Sequence, residues 1–449
     1  MFLGRSRKSS NGKDSPEEAV DWKAVERRVA QGGLESVPHE IHLDPWTHLY
    51  ASRMSNMKGS AIRAMMGSAA IPGMIALAGG LPDTRPIELD SVVDATRAAM
   101  VAEGGWALQY GPSEGHRGLK KHVIELMAEE GVGIDYDDFI ITQGSQQALD
   151  LIARTFIDPS DIIIVEAPSY VGALQATSGY EPSYVAVPMD EQGLVVEELE
   201  RQILKRPKLG SAKFIYVVPN FHNPAGVTMA LERRERLVEL VRDYGLLLIE
   251  DNPYGKLRFE GEDIPLLRSM DENIVYLGTF SKIFSPGLRL GWVIAPRPIL
   301  DKIVIGKQAA DLCSSNFAQM VLEHYFERNL WQKNVERLRN VYRSRRDAML
   351  AALEEHFPDG TTWTKPEGGF FVWAKIPEGI DTSEMLAEAI ENKVSYVPGS
   401  AFFTDGTGDD HMRLGFCYES EERIQEGIKR LGKVIKGKIA LAKSLGIKE

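Results

Sequence analysis

Residues 231–251 read LERRERLVELVRDYGLLLIED. Leu237, Leu240, Val241 and Tyr244 recur at the spacing of one helical face, and Gly245 supplies the stop. LLLIED then runs as a short apolar strand and ends in acid. A helix feeding directly into a strand that is apolar on both faces is the repeating unit of a parallel sheet covered on both sides. DIIIVEAPSY (161–170) and KFIYVVPNFHNPAG (213–226) repeat the pattern: an apolar run that breaks into a polar, proline-containing loop. From about Asp90 onward such helical and strand patterns alternate, which predicts an α/β architecture with a largely parallel sheet. Ligands of such sheets bind at the carboxyl ends of the strands. Polar residues that follow several separate strands therefore point to one shared site.

The chain has 449 residues, of which 43% are hydrophobic and 26% charged, the usage of an ordinary globular protein and enough for two domains. Lys and Arg number 52 against 64 Asp and Glu, a net charge of −12 that offers no electrostatic footprint for nucleic acid or an anionic membrane. Cys313 and Cys417 read as incidental reduced thiols. No stretch reaches the roughly 18 apolar residues of a membrane span. MFLGRSRKSSNGKDSPEEAVD at the start carries charges and no apolar core, unlike a secretory signal. A cytoplasmic location is the expectation. Residues 1–45 form a polar extension, a loose tail or an exposed helix.

Four stretches carry chemistry. In GTFSKIFSPGLRLGW (278–292), Lys282 stands among Thr279 and Ser281, and Arg289 follows seven residues later. An amine that is to attack a carbonyl must be neutral for part of its cycle, so it needs desolvation or cationic neighbours. The hydroxyls and the planar guanidinium suit a phosphate. Together they match a group bearing both an aldehyde and a phosphate. ITQGSQQALD (141–150) reads as strand, glycine turn and helix start, with Ser145 and Gln146 at a helix N-terminus that favours phosphate; taken alone, the stretch is more often an ordinary serine N-cap. IEDNPYG (249–255) places Asp251 at a strand end, as a helix cap or as a buried acceptor for a protonated ring nitrogen. Asn223 precedes Pro224, in a plain turn or aimed into a cleft.

These motifs, in this order over about residues 57–430, resemble the pyridoxal-phosphate (PLP) aminotransferases of fold type I, class I/II. The seven-residue Lys–Arg spacing is similar to that of the subgroup of 2-aminoadipate and kynurenine aminotransferases and MocR-type regulators. The position of Thr279 is usually serine there, and threonine keeps the hydroxyl. The resemblance implies a large PLP-binding domain over residues 90–310 with a mostly parallel seven-stranded sheet flanked by helices. A smaller α+β domain would come from residues 311–449, with residues 46–89 as its N-terminal segment and active-site cover.

The resemblance further implies that Lys282 forms the aldimine and moves the Cα proton, while Asp251 pairs with the pyridinium nitrogen. Asn223 and Tyr254 would bond the phenolic oxygen, and Tyr170 would stack on the ring. Ser145, Gln146, Thr279, Ser281 and Arg289 would hold the phosphate. Tyr110, in ALQYGPSEGHRG, would reach the phosphate of a neighbouring subunit in a homodimer with shared sites. Arg413, in HMRLGF, would clamp the substrate carboxylate beside Asn223, with Gly79 and Gly80 lining the pocket. Arg63, in NMKGSAIRAMM, sits where some relatives bind a side-chain carboxylate, or is a surface arginine. No metal is expected. The reaction implied is ping-pong transfer of an amino group from an L-amino acid to a 2-oxo acid such as 2-oxoglutarate. The same cradle also serves elimination, oxidation and C–C bond formation. A PLP-sensing regulator would need a DNA-binding domain ahead of the matching region, for which only about 45 residues are present.

Overall fold

A computed structural model describes residues 44, 46–55, 57, 59, 71–205, 211–328, 330–377 and 379–444. The chain divides into two compact units, Met1–Leu49 and Tyr50–Glu449. The described part of the first is a single 3-10 turn at Thr47–Leu49, and everything below concerns the second.

Fourteen strands are present among the described residues: β1 (Ile75–Ala76), β2 (Phe139–Thr142), β3 (Ile162–Ala167), β4 (Ser183–Asp190), β5 (Gly193–Leu194), β6 (Phe214–Val217), β7 (Leu248–Asp251), β8 (Val275–Thr279), β9 (Gly291–Ile294), β10 (Thr362–Trp363), β11 (Phe371–Lys375), β12 (Val394–Ser395), β13 (Val397–Pro398) and β14 (His411–Gly415). The large sheet runs β2-β9-β8-β7-β6-β3-β4-β5. Strands β8, β7, β6, β3 and β4 are mutually parallel, and β9 lies antiparallel between β8 and β2. The expected sheet of seven strands becomes one of eight because the chain folds back at Asp190–Gly193. There Gly193, at φ 92°, lets two residues pair with the end of β4.

Alternate residues of these strands enter two separate cores, as a period of two requires. Ile163, Val165, Tyr216 and Ile249 pack with the helices Gly144–Phe156 and Arg297–Ala310. Ile164, Ile215, Val217 and Leu248 pack with Val196–Lys205 and Leu231–Tyr244 on the other face. A second, antiparallel sheet, β10-β11-β14-β13, shares a core with helices Leu330–His356, Thr382–Glu391 and Glu421–Ser444.

The helix Leu231–Tyr244 ends as its sequence predicts. Gly245 is left-handed (φ 63°, ψ 34°), its N–H donates to Arg242 O, and Leu246 N–H donates to Val241 O at 2.9 Å. The same helix holds a group that its charge pattern conceals. Arg234, within the charged run ERRER, is fully buried. Its guanidinium donates to the carbonyls of Met229, Pro219 and Pro265 and to Asn220 Oδ1 (2.7 Å). It thereby fixes the loop that leads from β6 to Asn223. Because a Cβ at Gly245 would meet nothing within 4 Å, a Gly245→Ala change tests the left-handed backbone alone. It is expected to cost about 1 kcal/mol, read as a lowered thermal midpoint with unaltered activity; an unchanged midpoint would show that the turn relaxes without strain.

Candidate active site

The carboxyl ends of β2, β3, β6, β7 and β8 open onto one cavity. Ser145, Tyr170, Asn223, Asp251, Tyr254, Thr279, Ser281, Lys282 and Arg289 line it, with Val218, Pro253 and Pro286. Residues more than a hundred positions apart are thus brought together by strand order alone.

One end of the cavity is built for an anion. The helix Gly144–Phe156 starts here, with Gln143 rather than Ser145 as the capping residue, so Ser145 lies within the first turn beside free backbone N–H groups. Thr279 Oγ1 accepts from Ser281 N–H (3.1 Å) and donates to Ser281 Oγ (3.0 Å), which fixes both hydroxyls. Arg289 faces them in a left-handed backbone conformation (φ 54°, ψ 50°), held by the 3-10 turn Pro286–Leu288 that Ser285 caps. Such strain in a non-glycine residue is retained where surrounding structure imposes it. Its guanidinium finds only long contacts, to Ser281 Oγ (3.5 Å), Pro286 O (3.2 Å) and Gln143 O (3.4 Å), and so keeps donors for a ligand. Gly144 makes that approach possible, since a Cβ there would stand 2.8 Å from Arg289 Nη2.

At the floor, Asp251 is 1% exposed. Its Oδ2 accepts from Tyr216 OH (2.8 Å), and its Oδ1 has no donor. Desolvation pushes its carboxyl up to about 7, against the pull of the Tyr216 hydrogen bond and of Lys282. Lys282 is half-buried, with Nζ 3.4 Å from Gly80 O and over the rings of Tyr254 (5.9 Å) and Phe370 (5.4 Å). Desolvation brings the amine down to about 8, aided by Arg289 and Arg413 and opposed by Cys417 and Asp251. A sizeable fraction is therefore neutral near physiological pH.

Arg413, from β14, enters from the second sheet and is fully buried. It donates to Asn223 Oδ1 (2.8 Å) and Ala78 O (2.7 Å), its Nε has no partner, and it lies over the rings of Phe371 (4.2 Å) and Phe402 (5.2 Å). Burial lowers it to about 10. A buried guanidinium with neutral acceptors only is a site waiting for an anion. The neighbouring wall, Ala76–Asp83, is pinned at one end by Gly415 N–H on Leu77 O (2.7 Å) and at the other by Arg345 on Asp83 (2.7 Å). Gly80 lies so close to Phe371 that a Cβ would approach its ring to 2.9 Å.

Gln146 and Tyr110 stand apart, while Arg413 and Gly80, also outside the lining, adjoin it through Asn223 and Lys282. The Gln146 side chain donates to Gly172 O (2.9 Å) and does not line the cavity. Tyr110 is 71% exposed and is likewise outside the lining. Arg63 lies outside the described residues. The sequence reading in turn overlooked Tyr216, Phe371, Phe402 and Cys417. Of these only Tyr216 carried a signal, as the one polar tip in the apolar run FIYVV. No group of three or more potential metal ligands occurs among the described residues.

The open Asp251 oxygen fits a protonated ring nitrogen, the hydroxyls and guanidinium around Arg289 fit a phosphate, and the partly neutral Lys282 fits an aldehyde. With a doubly wound sheet of this order, that set defines a PLP-dependent enzyme of fold type I. The chain belongs to the family described as aminotransferase class I and II, whose model matches residues 72–431. It is 45% identical over 391 residues to aromatic-amino-acid aminotransferase 1 of Thermococcus litoralis, covering 86% of this chain and 94% of that one. It is 36% identical over 401 residues to a 2-aminoadipate transaminase of Thermus thermophilus, covering 88% and 98%. Among solved structures, a kynurenine aminotransferase of Pyrococcus horikoshii in complex with PMP superposes with a TM-score of 0.84 at 41% identity, covering 88% and 99%. The protein is a PLP-dependent aminotransferase, transferring an amino group between an amino acid and a 2-oxo acid.

A carboxyl raised from 3.8 to about 7 makes ionisation costly in the folded state. Between those values the unfolded chain releases a proton that the native cofactor-free protein retains, so stability falls as pH rises through the window and levels off above it. Cofactor-free Asp251→Asn is expected to melt above cofactor-free wild type at pH 8, with the gap closing toward pH 4. A gap independent of pH would contradict the shift.

Proposed function

We propose that Lys282, Asp251, Tyr254 and Arg413 carry the reaction. The observation that supports this most is the buried, carboxylate-free guanidinium of Arg413, bonded to Asn223 of the cavity that also holds the Lys282 amine. Asp251 would take the ring nitrogen, Asn223 and Tyr254 the phenolic oxygen and Tyr170 the ring face. Ser145, Thr279, Ser281 and Arg289, with the backbone of Gln146, would take the phosphate. When bound, the cofactor supplies an electron sink for the charge left at the substrate's Cα.

The chain's own groups do the rest. Arg413 grips the substrate carboxylate as a bidentate fork, with Phe371 and Phe402 fixing the guanidinium plane. Asn223, bonded to Arg413, ties that fork to the cofactor side of the cavity. Lys282 Nζ takes the proton from Cα, which its neutral fraction near pH 8 permits. Tyr254, Phe370 and Phe371, packed edge to face at 5.2–6.0 Å, keep water from the amine.

For substrates we propose L-amino acids of the aromatic, kynurenine and 2-aminoadipate range as donors and 2-oxoglutarate as acceptor, the range that the relatives' names span. Arg63 would meet an acidic side chain. A homodimer is supported by the exposure of Tyr110, Leu108 and Trp106, through which Tyr110 would reach the partner's phosphate. The cofactor-carrying part would span residues 90–310, with residues 46–89 and 311–449 forming the second part. A cytoplasmic location is consistent with there being no helix, among the described residues, long and apolar enough to cross a membrane.

Lys282→Ala is expected to lose at least about 10²–10⁴-fold in turnover while still binding PLP non-covalently; full activity would end the assignment. In a coupled panel of amino acids with 2-oxoglutarate, Arg413→Lys is expected to raise KM by roughly 10–100-fold, because the fork is lost. An unaltered KM for every donor would place the carboxylate clamp elsewhere.

A further inference from the structure

Lys307 has no part in the roles above, yet it is 0% exposed, in the last turn of the helix Arg297–Ala310. A buried ammonium needs an acceptor for each proton, and Lys307 finds its three on three different segments. Nζ donates to Asp311 Oδ2 (2.8 Å), on the residue that caps its own helix, to Ser314 Oγ (3.0 Å) and to Gln147 Oε1 (3.0 Å). Ser314 Oγ in turn donates to Ile141 O on β2 (3.3 Å). The Gln147 amide is fixed at both ends: Oε1 also accepts from Gln143 N–H (2.8 Å), and Nε2 donates to Asp311 Oδ2 (2.7 Å). Gln143 is the residue that caps the helix Gly144–Phe156, so Gln147 serves its N–H as the acid of a capping box would.

A lysine and an aspartate four residues apart at a helix end are commonly a structural contact of small worth. Two observations go beyond that reading. Burying such a pair gains little over an apolar side chain of like volume, so stability alone does not call for it. The third proton, moreover, leads through Gln147 to the backbone that Arg289 lies against. Gln143 O accepts from Arg289 Nη2 (3.4 Å), and a Cβ on Gly144 would stand 2.8 Å from the same nitrogen. Gly144 is left-handed (φ 71°) and free of the barrier that a side chain would impose. A Gln143–Gly144 unit held only by its own helix would be free to swing about that glycine, taking with it the Arg289 contact and the aim of the helix's first N–H groups. Gln147, locked by Lys307 and Asp311, prevents the swing.

We propose that Lys307, acting through Gln147, is a positioning residue for the phosphate cup: it holds the Gln143–Gly144 backbone in the orientation that aligns Arg289 and the start of the helix on one anion. This rests on the reading of Ser145, Thr279, Ser281 and Arg289 as the groups that take the phosphate. Lys307 touches neither cofactor nor substrate. Its loss leaves the aldehyde and ring-nitrogen contacts in place and loosens the grip on the phosphate.

The test compares the affinity of the cofactor-free full-length chain for PLP and for pyridoxal, which lacks the phosphate, and reads the bound phosphate by phosphorus NMR. Variants are Lys307→Met and Gln147→Met; the second keeps the Lys307–Asp311 pair and cuts only its link to Gln143, and either one that folds suffices. Arg289→Gln is the control for the cup itself. The PLP-to-pyridoxal affinity ratio is expected to fall roughly 5–30-fold in the Lys307 and Gln147 variants, with the pyridoxal affinity unchanged and the phosphorus resonance moved toward that of free PLP. If Arg289→Gln lowers the ratio while these variants hold it at the wild-type value, whether both affinities stay or fall together, Lys307 is structural and the proposal fails alone. If Arg289→Gln itself leaves the ratio unchanged, the reading of the cup fails and the proposal falls with it.

Discussion

The buried carboxyl of Asp251 sets the terms for the rest of the site. A carboxyl with one hydrogen bond and no counter-ion is costly to ionise in a protein interior. The fold holds it there, on β7 between β6 and β8, with one oxygen lacking a donor. A cationic donor beside Asp251 would offset that cost. The guanidinium groups of Arg289 and Arg413 follow the same logic with opposite sign. Each is a guanidinium whose nearby acceptors are too few or too long. The site is thus charged in advance for a ligand with a positive ring, a phosphate and a carboxylate.

Two sheets are needed to build it. The large sheet supplies the carboxyl ends that carry Asp251, Asn223, Lys282 and the cup. The small antiparallel sheet brings Arg413, aligned by Trp373 on β11 and Val397 on β13. Asn223 Oδ1 is the point where they meet, since it accepts from Arg413. On the proposed roles, a substrate held at Arg413 would lie against the same loop that would meet the cofactor.

Much of this could be read from the chain. The helix–strand unit 231–251 gave its helix, its left-handed stop and its buried strand because each follows from a local rule. Lys282, Arg289 and Asp251 were legible because their neighbours in sequence are their neighbours in space. Tyr216 showed only as a polar tip in an apolar run, since it meets Asp251 through strand order, which no local pattern specifies. The burial of Arg234 is hidden for a related reason: a charge cluster on a helix looks solvated until the loops that offer it carbonyls are placed. The eighth strand escaped because two residues of hairpin carry no periodicity.

The central claim is that the Lys282 amine is the group that meets the cofactor's aldehyde. Borohydride reduction of the PLP-loaded protein, followed by peptide mass spectrometry, addresses it directly. The account predicts a single pyridoxyl adduct, on the peptide containing Lys282. An adduct on another lysine, with Lys282 unmodified, would contradict it.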